Sequence, residues 1–186
     1  MSVSEPTYKV DSKNDHYEIR TYQPIIVAET LIEADFDEAG SKAFAILADY
    51  IFGKNKSKQK MEMTAPVAQQ NLSEKIAMTA PVSQIEDHRG HLVQFTMPSN
   101  YTMDTLPLPL DPRVKLKEMG SRTVAVYSYS GSWSESRYKS KLAKFHLELS
   151  KDKITTKGEP VFARYNSPFQ LWFLRRNEIW LEISDR

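Results

Sequence analysis

The chain has 186 residues, 40% of them apolar and 26% charged, with a formal net charge of +1. That length suits one domain with a sizeable core, and the even charge balance offers no basic field for a nucleic acid or an anionic membrane surface. The absence of cysteine excludes disulfides, thiolate catalysis and Cys-based zinc or iron–sulfur sites.

The opening residues, Met1 to Pro6, carry no basic stretch followed by an apolar run, and no later stretch has the length of a membrane span. A cytoplasmic protein without membrane insertion is the expectation. Tyr17 and Ile19 alternate with Glu18 and Arg20, which reads as a half-buried strand, and residues 25–32 form a second. A helix follows, opened by Asp35 or Asp37 and stopped at Gly53. Phe36, Ala39, Ala43, Leu47, Tyr50 and Ile51 make its core stripe, and Phe44 and Ala48 widen the apolar surface beyond it. A basic stretch, residues 54–60, comes next.

The segment Met63-Thr64-Ala65-Pro66-Val67 returns as Met78-Thr79-Ala80-Pro81-Val82. Proline cannot donate to a sheet, so both copies are expected as edge strands or extended arms. Val93, Phe95 and Met97 mark another strand, and the leucine–proline run over residues 106–112 reads as a fixed surface linker. Strands over residues 114–119 and 123–129 precede a second helix over residues 134–150, with Tyr138, Leu142, Phe145 and Leu149 at helical spacing. In the last strand Ile179, Leu181 and Ile183 are expected inward, with Trp180 sharing the face of Glu178 and Glu182.

An offset of 98 residues lays Ile26-Val27-Ala28 on Val124-Ala125-Val126 and, in the helices, Phe44 on Leu142, Leu47 on Phe145, Ala48 on His146 and Ile51 on Leu149. Each half, about residues 8–100 and 113–185, reads strand, strand, helix, strand, strand. The fold class this predicts is α+β, one domain over residues 1–186, with a curved or barrel-like antiparallel sheet and one helix per half.

Tyr17-Glu18-Ile19-Arg20, the doubled Met-Thr-Ala-Pro-Val segment, Gly131 before the second helix and Phe173-Leu174-Arg175-Arg176-Asn177-Glu178 together resemble the SOUL haem-binding protein family, over about residues 8–183. The doubled segment is more similar to its bacterial branch. The resemblance implies a distorted eight-stranded β-barrel with two flanking helices and reversible binding of haem or a related tetrapyrrole in an apolar groove beside the first helix. This helix carries Ser41 and Phe44 where animal members have an arginine and a methionine attributed to that groove.

Haem asks for a flat apolar slot, cations for its propionates and, where the iron is ligated, a His, Met or Tyr. On the first helix Phe44, Leu47, Ala48 and Ile51 are candidates for the slot, although the same residues also read as an ordinary core face. Lys42 and Lys54, with Lys56, Lys58 and Lys60, are candidates for the propionates, against the plainer reading of a solvated basic loop. His146, bordering the core stripe of the second helix, is the candidate iron ligand, and Met61, Met63 and Met78 are softer alternatives. His16, His88 and His91 read as surface residues, and no other metal is expected. The Arg175 to Glu178 run reads as structural, making turn hydrogen bonds and salt bridges that close the barrel.

Nucleophile-elbow, Walker, dinucleotide and H-E-x-x-H patterns are missing, so the expected function is non-catalytic binding of haem, loosely held. An interaction domain using Trp133, Leu106 to Leu110 or Trp172-Phe173, including self-association as a homodimer, is the alternative. A tetrapyrrole-modifying enzyme is a third.

Overall fold

The computed structural model describes residues 3–58, 73–166 and 169–184. Its first half runs β1 (Tyr8–Lys13), β2 (Glu18–Tyr22), β3 (Ile25–Ile32), α1 (Phe36–Ile51), β4 (Asn55–Lys56), β5 (Val82–Asp87) and β6 (Gly90–Thr96). Its second runs β7 (Leu108–Pro109), β8 (Lys115–Met119), β9 (Arg122–Ser130), α2 (Glu135–Lys151), β10 (Thr156–Arg164), the 3-10 turn Trp172–Leu174 and β11 (Arg176–Ile183). Nine strands form one strongly curled antiparallel sheet in the order β1-β2-β9-β11-β10-β5-β6-β3-β8, and β4 pairs with β7 beside it. The large sheet thus has nine strands where eight are expected, because residues 8–13 add β1 outside β2.

Both helices begin where their polar caps fall, α1 after Asp35 and α2 after Ser134. Gly53, with φ of 123°, turns the chain away after α1, a left-handed conformation that favours glycine. The predicted stripe of α1 is buried throughout and packs on β3 and β6 with Ala28, Val93 and Phe95. On α2, Phe145 and Leu149 pack against Ala125, Phe162, Ile179 and Leu181. The two helices lie on one face of the sheet.

The other face is also buried, because the sheet curls on itself. Tyr22, Val124, Val126, Val161, Ala163 and Trp180 form a cluster there, around a buried ion pair. The Glu178 carboxylate accepts hydrogen bonds from Arg20 Nη1 (3.2 Å), Tyr165 Oη (2.7 Å) and Trp180 Nε1 (2.8 Å). The Arg175 to Glu178 run is therefore more than a turn: Glu178 reaches back to β2, and Asn177 Nδ2 donates to the Gly131 carbonyl.

The first Met-Thr-Ala-Pro-Val copy, with Met61, Met63 and Lys60, lies outside the described residues. The second is an extended arm in which Thr79 makes a parallel bridge to Ser4 before β5 begins at Val82. In the linker Leu106 is fully buried while Leu108 and Leu110 are exposed, and Tyr50 Oη donates to the Pro107 carbonyl at 2.9 Å.

The β5–β6 hairpin turns at Gly90, whose φ is 136° and where a Cβ would sit 2.2 Å from the Ile32 carbonyl oxygen. Gly90→Ala is expected to destabilise the protein by about 1–3 kcal/mol from backbone strain, with the backbone collision adding to it. Thermal unfolding that leaves the midpoint unchanged would refute this.

Candidate functional site

The two helices meet at their N-terminal ends. Phe36 stacks on Tyr138 at a centroid separation of 4.9 Å and on Phe162 at 5.4 Å. The Asp37 carboxylate accepts a hydrogen bond from the Glu135 backbone N–H at 2.9 Å, so a side chain of α1 caps α2. Beside this junction opens a cleft of about 220 Å³, lined by Gly40, Ser41 and Phe44 of α1, Val82 of β5, Trp133 ahead of α2, Arg164 of β10 and Asn166. The lining is mostly apolar and includes no carboxylate.

The walls are fixed by their neighbours. Trp133 Nε1 donates to Asn177 Oδ1 at 2.8 Å, and the Arg175 guanidinium stacks over the Trp133 ring at 4.2 Å. Phe44, half-buried, rests on Phe95 at 5.3 Å. Val82 and Arg164 are register partners on adjacent strands, so both project toward the helices. Gln84 joins floor and wall: its amide Nε2 donates to the Phe36 carbonyl at 2.9 Å, and its Oε1 accepts a long bond of 3.4 Å from Arg164 Nη2.

Of the residues proposed from the sequence for the slot, the propionates and the iron, only Phe44 lines this cleft, joined by Ser41, which stands where animal members have an arginine, and by Trp133, named for the interaction alternative. Leu47 and Ile51 are enclosed in the core between α1 and the sheet, and Ala48 is half-buried. Lys42 is exposed and paired with Glu38 at 2.7 Å, and Lys54 is exposed and paired with Asp49 at 2.6 Å. His146 is exposed on α2 and does not line the cleft. His16 and His88 are exposed, while His91 Nδ1 lies 3.0 Å from the Ala34 carbonyl and its ring meets Phe36 edge-on. Among the described residues no group of three or more His, Asp and Glu is placed to hold a metal ion.

Val82, Arg164 and Asn166 escaped the sequence reading as site residues, and Trp133 entered it only as an interaction residue, because they come from separate elements. The usable signal was Gly131 with Asn177, two distant motif residues that the fold joins by a hydrogen bond and that hold Trp133 in place.

A larger depression, about 500 Å³, lies under the N-terminal segment between Ser4 to Thr7, residues 23–26 and residues 96–104. Its charged lining residues are Glu5, Asp104 and Glu118, with no lysine or arginine. That field repels an anionic ligand. A separate exposed segment follows Asn166: Phe169 is 96% exposed, and Leu171, Trp172, Phe173 and Leu174 are each more than half exposed. It ends at Arg175, the residue stacked on Trp133. No helix among the described residues is long and apolar enough to cross a membrane.

A curled antiparallel sheet with two helices on one face and an aromatic cleft where the helices meet defines an α+β domain of the SOUL type. The SOUL heme-binding protein family matches residues 3–182, and the chain belongs to that family. It is similar to the human protein named "Heme-binding protein 2", with 32% identity over 89% of this chain and 77% of that protein. The mouse protein of the same name is 31% identical over 97% of this chain and 86% of its own length. Among solved structures, the EcmrR C-terminal domain superposes with a TM-score of 0.64 at 10% identity, covering 96% of this chain and 99% of that one. A structure described as a hydrolase from Listeria innocua superposes at 0.59 with 11% identity, covering 94% of each chain. At such identities these two likenesses concern the fold alone.

Proposed function

We propose that this protein binds haem or a related tetrapyrrole reversibly, and carries out no chemistry of its own, at the α1 face where Phe44 and Trp133 flank the cleft. The observation that carries this reading is an acid-free aromatic cleft beside α1 in a chain of the SOUL family. Its curated relatives are named for heme binding.

At about 220 Å³ the cleft is smaller than the ~300–1,000 Å³ of a pocket that encloses a drug-sized ligand. A macrocycle therefore enters by one edge, and its remaining area lies outside, within reach of the exposed apolar segment that ends beside Trp133. Partial enclosure gives loose, reversible binding. Leu47 and Ile51 hold α1 to the sheet and shape the site from beneath, and Ala48 lies at its margin. Lys42 serves a propionate at the rim by exchanging its carboxylate partner, which costs little because exposed pairs contribute only about 0–1 kcal/mol, whereas Lys54 lies past the far end of α1 beside Leu110 and Arg113, away from this cleft. His146, exposed on α2 about three turns from the end beside Trp133, does not reach a macrocycle seated in this cleft, so no iron ligation is assigned to it.

Titration of the protein with hemin, followed in the Soret band, is expected to saturate at one equivalent. Phe44→Ala should weaken binding by about 3- to 10-fold through loss of an aromatic wall, whereas His146→Ala, remote from the cleft, should leave it unchanged. Non-saturating shifts that no variant alters would overturn the reading.

One observation favours a second use of the same fold. The exposed run Phe169 to Leu174 is an apolar surface of the kind that contacts another protein or a second copy. That reading requires association without ligand, so a monomer in sedimentation at high protein concentration would count against the self-associating form.

A further inference from the structure

Arg164 is, among the described residues, the one ionisable side chain in the cleft lining, and its charge has no carboxylate partner there. Among the described residues its enclosed Nε has no hydrogen-bond partner, and its one hydrogen bond is the long one to Gln84. The guanidinium lies 5.4 Å from the Trp133 ring centroid and 5.7 Å from that of Phe162. It also lies directly on the α1 backbone at Gly40, where a Cβ would come within 2.3 Å of both Nη1 and Nη2. Burial without a countercharge pushes its pKa down to about 10, still well above neutrality, so the group remains a cation.

A cation largely withdrawn from water and left without an anion is costly, and a fold that merely needed volume there would be better served by an apolar side chain. The helix glycine, itself unfavourable in mid-helix, leaves the space the guanidinium fills. With Nε enclosed and one Nη2 N–H given to Gln84, the other three N–H donors of this planar fork, on Nη1 and Nη2, are left for a ligand.

We propose that the cleft is a carboxylate-recognition subsite, in which the Arg164 guanidinium receives a carboxylate of a flat aromatic ligand whose ring lies against Trp133 and Phe44. The identity of the flat body as a tetrapyrrole rests on the reading above, with the carboxylate then a propionate. The subsite itself rests on the cleft alone. A dry apolar cavity of about 150 Å³ takes benzene, so a cleft of about 220 Å³ also holds a bicyclic aromatic acid.

The test compares, by quenching of tryptophan emission, protoporphyrin IX with its dimethyl ester and 2-naphthoate with 2-naphthalenemethanol, on the native protein and on Arg164→Met. The variant removes an uncompensated charge, so it should fold, which circular dichroism verifies. A charge-assisted, bidentate contact predicts that each acid binds about 10- to 100-fold more tightly than its neutral analogue, and that Arg164→Met abolishes the preference. Gly40→Ala, which displaces the guanidinium without removing it, should reduce the preference as well. Saturable naphthoate binding lost in Arg164→Met, with no porphyrin binding, would support the subsite and remove the tetrapyrrole reading. Porphyrin binding with equal affinity for acid and ester, or a preference unchanged in Arg164→Met, would overturn the subsite and leave that reading standing. Failure of both acids to bind would overturn both.

Discussion

Glu178→Ala is expected to destabilise the protein by about 3–5 kcal/mol, the cost of stripping one partner from a buried ion pair. The carboxylate is 1% exposed and Arg20 is 6% exposed, so water cannot take the place of either. Burial by itself disfavours the Arg20 charge, and Glu178 with Tyr22 and Glu18 more than offsets it, holding the guanidinium above its ordinary range. The alanine variant leaves Glu18 as the remaining carboxylate of Arg20 among the described residues and orphans the donors Tyr165 Oη and Trp180 Nε1. The pair need not be a net stabiliser, since well-packed apolar replacements of both partners are often neutral or better. Arg20→Met combined with Glu178→Leu should therefore recover much of the loss. Urea unfolding of the single and double variants checks both statements, and a Glu178→Ala midpoint equal to that of the native protein would refute the first.

A second large effect is expected from alkali, with unfolding between pH 10 and about pH 12. Burial raises the phenol pKa of Tyr22 from 10.0 to about 12. Burial also raises Tyr17 and Tyr101 to about 12, aided by hydrogen bonds to Asp152 and Glu74 respectively. Tyr50, Tyr129, Tyr138 and Tyr165 are pushed up further by burial. Folded values above the unfolded one mean that this stability is fully present below pH 10 and is lost as the pH climbs through the folded values. For Tyr22, 2% exposed, the rise to about 12 corresponds to about 3 kcal/mol. Several such groups together rival the whole stability of an ordinary domain, about 5–15 kcal/mol. Phenolate absorbance should thus rise cooperatively with loss of far-ultraviolet circular dichroism. Gradual ionisation of these tyrosines near pH 10 with the fold intact would refute the expectation.

Local signals were legible because their causes are local. The helices begin after Asp35 and Ser134, close to the expected starts, and the predicted stripe from Phe36 to Ile51 is buried throughout. The α+β class followed from the same periodicities, and the motif residues identified the family. Alternation in β2 was equally readable, but its polar side was not. Arg20 shares a face with Tyr22 inside the curl rather than in water, because period two reports which residues share a face and nothing about what covers it.

The site belongs to the same second category. Helical periodicity placed Phe44 beside Leu47 and Ile51 on a wide apolar face, and only the packing of α1 against β3 and β6 separates the enclosed pair from the residue that borders a cleft. Arg164 reads in sequence as the end of a strand. Its meaning comes from Gly40, Trp133 and Val82, brought to it from a helix, a loop and a neighbouring strand. Glu178 and Arg20, 158 residues apart, find each other through β9, which lies between their strands. The sequence by itself determined the elements, the core stripes and the family. Tertiary structure alone decided which charges are buried, which are paired and which one faces a cleft without a partner, because burial and charge pairing depend on chain segments that no local pattern specifies.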